Sequence, residues 1–354
     1  MKAAILDHPG GPDAFRLANV PVPECGPGDV LVEVMACGVS SRDVAERNGT
    51  YRRHVRFPLI IGLEISGFVR KVGAQVSSLK VGDYIASKAF SSCGMCRYCR
   101  TGRETSCLQR QPVRGGYAEF AALAEDAAVK IPNTIPFEAA CSLGPATGVA
   151  LNAVRDTARV AMGEIVLVTG ATGGLGAPSM QLAKIAGARV LALTHNASKA
   201  AMLREAGADD IVVMDGYGKF ASKIAELTDG YGADVVIDNV GSPVFWECFQ
   251  SLALHGRYAA VGQLVGERVE INLARIFFKR AQILGVGSVS RAQLSDVATL
   301  MAQGHLSAQI DRILPLEDVA LAHEVVESGK AAGRVVLMTD TTRAAQRSQR
   351  NHEE

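Results

Sequence analysis

A chain of 354 residues is too long for one ordinary hydrophobic core and implies two domains, each burying its own interior. Lys+Arg 37 against Asp+Glu 36 leaves a net charge of +1, with no long-range field to draw nucleic acid or an anionic membrane; small molecules are the expected partners. No stretch approaches the ~20 apolar residues of a membrane span, and MKAAILDHPG lacks the charged start and apolar run of a signal peptide, so the expected location is the cytoplasm.

Residues 1 to about 150 read as short strands between Gly/Pro turns: KAAIL, DVLVEVMACGV, ISGFVRKVG, VGDYIAS and YAEFAALA, separated by PGGP, CGPGD and FPLIIG. This predicts a β-rich first domain over 1–150. Within it Cys93, Cys96, Cys99 and Cys107 make a CxxCxxCx7C pattern in the irregular stretch 91–108. Eight cysteines in a chain of this size argue against a disulfide framework, and four thiolates in one short loop can close a tetrahedron round a structural Zn²⁺. Cys25, Cys37, Cys141 and Cys248 are scattered, as packing residues are.

From about Arg159 the pattern changes. Apolar runs of about five residues (EIVLVTG, RVLALT, DIVVM, DVVIDNV, RYAAVG) alternate with helical stretches, among them APSMQLAKIAGA, SKAAMLREAGA, GKFASKIAELT and FWECFQSLALHG. Buried strands separated by amphipathic helices predict an α/β fold with a doubly wound parallel sheet over 151–287. Residues 288–340 hold two further helical segments and a closing strand RVVLM, predicted to return to the first domain; 341–354 are polar and read as a frayed tail.

After EIVLVTG the chain runs Ala171-Thr172-Gly173-Gly174-Leu175-Gly176 into a helix. Small residues at a strand-to-helix turn let the backbone approach a pyrophosphate, whose charge then faces the free N–H groups of the helix start. Ala171 stands where the first glycine of GxGxxG falls. The second strand ends at Thr194 without the acid that binds an NAD ribose; Thr194, His195, Asn196, Ser198 and Lys199 instead suit a 2′-phosphate, which favours NADPH over NADH. The other reading of this segment is a polar loop that starts the next helix at Ser198. Asp238–Gly241 and Val261, Gly262 and Gln263 end later strands, where ligands of open α/β sheets bind, as does the stretch 285–288; each is also compatible with an ordinary strand-ending turn.

The β-rich domain, the four-cysteine lobe, TGATGGLG, DNVGS and the late GRVVLM together resemble the medium-chain dehydrogenase/reductase superfamily over nearly the whole chain. The resemblance implies a GroES-like first domain, a Rossmann second domain and a homo-oligomer, dimer or tetramer. Zinc alcohol dehydrogenases of that superfamily also hold a catalytic zinc. Here its ligand positions read Ser40 in ACGVSSRD, Leu63 in IIGLEISG, and Pro145 or Gly144 in SLGPATG, so a catalytic zinc is not expected. Cys37 is the one thiol that could replace a ligand, against a packing role; Glu64 remains beside Leu63 and is expected to pair with an arginine.

Without a Lewis acid an alkoxide is hard to stabilise, whereas conjugate reduction spreads charge into an enolate that a hydrogen-bond donor can hold. Zinc-free members, quinone oxidoreductases and enoyl- or acryloyl-CoA reductases, carry out such chemistry, and the stretch Phe57–Glu64 with Tyr51 before it is most similar to the acryloyl-CoA reductases. The resemblance makes Tyr51 the candidate acid, against a packing lid, and places Ser40 and Thr147 near the nicotinamide, with Asp43 beside them. It assigns Lys184 to the 2′-phosphate. The cluster Arg52, Arg53, His54 and Arg56 suits a phosphate-bearing substrate, or is a solvated loop. The expected activity is NADPH-dependent reduction of the C=C bond of an α,β-unsaturated carbonyl compound. The rivals are a carbonyl reductase or alcohol dehydrogenase, and a nicotinamide-binding protein without turnover.

Overall fold

The computed structural model describes residues 1–51, 55–216, 218–263, 267–339 and 342; Arg52, Arg53, His54 and nearly all of the polar tail therefore lie outside the described residues. The chain divides into two compact units, 1–148 with 289–354, and 149–288.

The first unit begins with β1 (Lys2–Leu6), β2 (Phe15–Asn19) and β3 (Asp29–Val39), then α1 (Ser41–Arg47), β4 (Glu64–Val72), β5 (Tyr84–Ser87) and β6 (Phe90–Ser91). It continues through α2 (Arg97–Arg100), β7 (Gln111–Pro112), β8 (Phe120–Ala124), β9 (Ala128–Lys130) and α3 (Phe137–Ala140). The long strand β3 alternates buried Val30, Val32 and Val34 with less buried neighbours in its first half and is buried throughout its second, which makes it the centre of the sheet. A π-helical stretch, Leu143–Gly148, closes this part.

The second unit contains α4 (Val149–Leu151), β10 (Ile165–Val168), α5 (Gly176–Ile185), β11 (Arg189–Thr194), α6 (Ala200–Glu205), β12 (Asp210–Val213) and α7 (Ala221–Leu227). It ends with β13 (Ala233–Asp238), α8 (Phe245–Ser251), β14 (Leu252–Ala260), α9 (Leu273–Lys279) and β15 (Gln282–Gly285). All its strands are parallel, in the order β12-β11-β10-β13-β14-β15. Leu167, Leu191 and Val236 from its strands pack with Phe220, Phe245 and Phe249, the two-sided burial that near-continuous Val/Ile/Leu runs require. The predicted helix FWECFQSLALHG stops at Ser251; Leu252 already belongs to β14, and His255, at φ +65°, sits in an irregularity of the β13–β14 pairing.

The chain then returns to the first unit with α10 (Arg291–Ala302), β16 (Ile310–Pro315), α11 (Val319–Glu327) and β17 (Arg334–Met338). β17 pairs antiparallel with β3, and the sheet runs β16-β17-β3-β4-β5-β9 with β8 also on β3. Val335 and Leu337 join Val32, Ile65 and Ile85 in one core, so the first unit is complete only when the chain returns to it after the second. The arrangement is a Rossmann-like parallel α/β domain and a separate β-rich GroES-like domain.

Candidate active site

The parallel strands bring several turns to one edge of the second unit. β10, β11, β13 and β14 all run the same way, so their carboxyl ends present Thr169–Leu175, Thr194–Lys199, Asp238–Gly241 and Val261–Gln263 side by side. At the first of these, Gly170 has φ +56° and the chain turns sharply into α5. A Cβ on Gly176 would lie 2.2 Å from Gly170 O and 2.5 Å from Ala171 Cα, so only glycine lets the helix start this close to the turn. Ala171 itself is fully buried under that contact, while Gly173, Gly174 and Leu175 are partly open.

A buried carboxylate ties this edge together. Asp238, with no exposed surface, accepts from Thr169 Oγ1 at 2.6 Å, from Val240 N at 3.0 Å and from Gly241 N, and also receives the Tyr258 hydroxyl. Asn239 donates Nδ2 to Thr169 O at 2.9 Å, leaving its Oδ1 without a protein partner. Gly262 N and Val261 N both donate to Asp238 O, and the Gln263 side chain bridges Ser242 and Glu267 O. Thr169 and Tyr258 carried no motif; a buried Thr before the glycine turn facing an Asp one strand away becomes visible only once β10 and β13 are known to be neighbours.

The segment after β11 starts at buried Thr194, whose Oγ1 accepts from Asn196 N at 3.1 Å. The Asn196 side chain caps the short turn Ala197–Lys199, accepting from Ser198 N at 2.9 Å and Ser198 Oγ at 2.7 Å. Lys184 does not belong here, which corrects the sequence expectation. It lies in the last turn of α5, and α5 runs back along the sheet, so its end is at the opposite edge from the glycine turn. There Lys184 Nζ pairs with both oxygens of Asp209 at 2.9 Å, just before β12. A cation at the carboxyl end of that helix cannot reach a phosphate at the carboxyl ends of the strands.

In the first unit Ser40 caps α1. Its hydroxyl donates to Asp43 Oδ2 at 2.6 Å, its N–H reaches the same oxygen at 2.9 Å, and Asp43 N returns a bond to Ser40 Oγ. Asp43 is fully buried with Oδ1 unpartnered, and burial pushes its carboxyl up to about 6 despite the bonds from Ser40. Tyr51 follows α1, half-buried, with the Arg42 guanidinium 5.1 Å from its ring centre. Thr147 is buried in the π-helical stretch, its N–H bonded to Ser142 O.

The positions to which the resemblance assigns catalytic-zinc ligands carry few metal-binding atoms. Ser40 is engaged with Asp43, Leu63 lies in the apolar core, and neither Pro145 nor Gly144 has a side-chain ligand atom, Gly144 packing against Ser87 O. Cys37 is 1% exposed and wedged between Gly62 and Gly116, where added Cβ atoms would come within 3.0 and 2.5 Å of its sulfur. Burial raises its thiol well above the ordinary range, the condition of a packing residue. Glu64 pairs with Arg334, an arginine at the start of the last strand that carried no signal in the sequence.

The cysteine lobe gives the opposite result. Sγ atoms of Cys93, Cys96, Cys99 and Cys107 all lie within 4.8 Å of one another, with Cys96–Cys99 and Cys93–Cys107 at 3.5 Å and Cys93–Cys99 at 4.0 Å. Four thiolates at ~2.3 Å from Zn²⁺ would be about 3.8 Å apart, so these residues fit that ion. Backbone N–H groups pull the Cys93 and Cys96 thiols down, whereas burial first and then the neighbouring sulfurs push Cys99 up, so the fit to a metal rests on the sulfur positions.

Two family models match: an alcohol dehydrogenase GroES-like domain over residues 26–133 and a zinc-binding dehydrogenase domain over 174–303. An acryloyl-coenzyme A reductase of Sulfurisphaera tokodaii is 30% identical over 95% of this chain and 99% of its own length. An alcohol dehydrogenase of Geobacillus stearothermophilus is 32% identical over 96% of this chain and all of its own. The crystal structure of AibC superposes with a TM-score of 0.90 at 37% identity, covering 96% of both chains. With a GroES-like domain, a Rossmann-like sheet and such relatives along its length, the chain belongs to the medium-chain dehydrogenase/reductase superfamily and is an NAD(P)-dependent oxidoreductase.

Proposed function

We propose that the protein is an NADPH-dependent reductase of the C=C bond of an α,β-unsaturated carbonyl compound, an enoyl thioester, enone or quinone, and that no metal takes part in the chemistry. The observation that carries this reading is the residue set Ser40, Leu63 and Pro145 or Gly144, which offers one hydroxyl and apolar packing where a Lewis acid would need ligands. The acryloyl-coenzyme A reductase relative supports the substrate class.

The cofactor, when bound, supplies the hydride that adds to the substrate β-carbon. Gly173, Gly174, Leu175 and Gly176 would receive its pyrophosphate, with Ala171 packed beneath them, and Val261, Gly262 and Gln263 would line its nicotinamide side. Thr194, Asn196, Ser198 and Lys199 would hold the 2′-phosphate; the fit of a hydroxyl-rich loop without an acid to that phosphate supports NADPH. Thr147, and Ser40 once its single O–H turns from Asp43 to the ligand, would donate to the substrate oxygen as negative charge develops there or to the nicotinamide carboxamide, and Tyr51 would deliver the proton to the α-carbon. The cysteine lobe would hold one structural Zn²⁺ with no open position.

Exposed Leu273, Phe277 and Phe278 on α9, with Ile283 on the edge strand β15, support a homo-oligomer built on that edge. Among the described residues no helix is long and apolar enough to cross a membrane.

The test is metal content per chain together with NADPH oxidation by enoyl-CoA esters, enones, quinones and simple ketones. One zinc with turnover of activated alkenes is expected. Two zincs with alcohol oxidation would overturn the reading, and turnover of ketones alone would favour a carbonyl reductase that polarises its substrate by hydrogen bonds.

A further inference from the structure

Lys88 is 2% exposed, yet it carries an ammonium group. Its Nζ lies 3.1 Å from Glu104 Oε1 and 2.9 Å from Asp126 Oδ2. Glu104 belongs to the cysteine lobe, between Cys99 and Cys107, and the same Oε1 accepts the backbone N–H of Arg291 at 2.6 Å. That N–H is the first of α10. The Arg291 guanidinium in turn donates to the carbonyls of Glu125, Asp126 and Ala128, while Asp126 Oδ2 also takes Ser92 N and Ser92 Oγ at 2.7 Å, at the entrance to the lobe.

Both ends of this network touch the stretch Leu143–Gly148. Ser87, next to Lys88, places its carbonyl where a Cβ on Gly144 would sit at 2.0 Å, and Leu294 of α10 closes on the same glycine. Val289, just before α10, would meet a Cβ on Gly148 at 2.3 Å. The Ser87 carbonyl against Gly144 and the Leu294 and Val289 side chains against Gly144 and Gly148 leave little slack, so a shift of Ser87 or of α10 is passed on to Leu143–Gly148.

We propose that Glu104 is a positioning residue: it transmits the metal-bound state of the cysteine lobe, through Lys88 and Arg291, to α10 and the stretch that carries Thr147. A lobe without its ion keeps only short-range bonds across Cys99 to Cys107, such as Arg103 N to Tyr98 O at 2.8 Å and Cys107 N to Glu104 O at 3.0 Å, and loses the tie that fixes this turn on the sheet, so that Glu104 moves with it. Lys88 then keeps one of its two acids, and the first N–H of α10 has lost its acceptor. The coupling stands on the geometry alone; its effect on turnover rests on the role proposed for Thr147.

The experiment is hydrogen-exchange mass spectrometry on the full chain, zinc-loaded and after chelation, for the natural protein, Glu104→Ala and Glu104→Gln. Chelation of the natural protein should speed exchange in the first turn of α10 and in 143–148 by roughly tenfold or more, the scale of one lost charge-assisted hydrogen bond, as well as in 93–107. Glu104→Ala should do the same at those two segments while retaining one zinc per chain, and chelating it should add nothing there. Glu104→Gln, which keeps an acceptor for Arg291 N, should restore most of the protection at α10. Chelation that frees 93–107 alone overturns the proposal without any variant, as does a zinc-loaded Glu104→Ala with natural protection at α10. In turnover, Glu104→Ala should lower kcat with the KM for NADPH unchanged; exchange coupling without that loss would sink the role of Thr147 and leave the coupling standing.

Discussion

Glu64 Oε2 lies 3.1 Å from Arg334 Nε inside the first domain, with the carboxylate 1% exposed and no hydrogen bond of good geometry to either atom. The bare Gly38 on β3 makes room for that carboxylate, since a Cβ there would fall 2.2 Å from Oε2. Burial pushes Glu64 up to about 7 from 4.5; Arg334 opposes the shift and Asp43 adds to it. Asp43 rises to about 6 from 3.8. Both folded values lie above the unfolded ones, so the native state binds more protons between about pH 4 and 7, and stability falls as pH rises through that window. Urea unfolding at pH 5 and pH 8 should therefore give a lower free energy at pH 8, and Glu64→Gln should flatten the difference by on the order of 1–3 kcal/mol. Stability that rises over the same range would show that the Arg334 pair outweighs burial.

Gly176→Val should abolish cofactor binding. The nearest atoms to the added carbon are backbone, Gly170 O and Ala171 Cα, so the turn must open and the N–H groups of α5 lose their aim. NADPH titration by fluorescence checks it; an affinity within threefold of the natural protein would place the pyrophosphate elsewhere.

Lysines at the two ends of the sheet should behave oppositely. Lys199→Ala is expected to cut kcat/KM for NADPH about tenfold with little change for NADH, as loss of one phosphate contact does. Lys184→Ala, which removes a half-exposed pair with Asp209, should leave both within twofold and cost no more than about 1 kcal/mol of stability. Equal losses with both coenzymes in Lys199→Ala would mean that the loop only shapes the site.

Phe277 and Phe278 are 62% and 73% exposed on α9, beside the unpaired edge of β15. The double change Phe277→Asp with Phe278→Asp should convert an oligomer to a monomer by sedimentation velocity, with the fold retained by circular dichroism. An unaltered sedimentation coefficient would put the interface elsewhere.

Much of this molecule was determined locally. The spacing of Cys93, Cys96, Cys99 and Cys107 fixes a four-sulfur lobe because the loop is too short for the thiols to separate, and the glycine turn follows from a strand, small residues and a helix in sequence order. The alternation of apolar runs and helices likewise dictated a parallel sheet. The pairing of Lys184 with Asp209 is not legible in the sequence, because a helix position says nothing of which sheet edge it reaches until the helix direction is known. Tertiary structure alone decided the Asp238–Thr169 bond, the burial of Lys88 between Glu104 and Asp126, and the Glu64–Arg334 pair, whose members are 69, 16, 38 and 270 positions apart, the second and third spans both starting at Lys88. Charges and hydroxyls carry no periodicity, so only the folded core, by excluding water, determines which of them must meet.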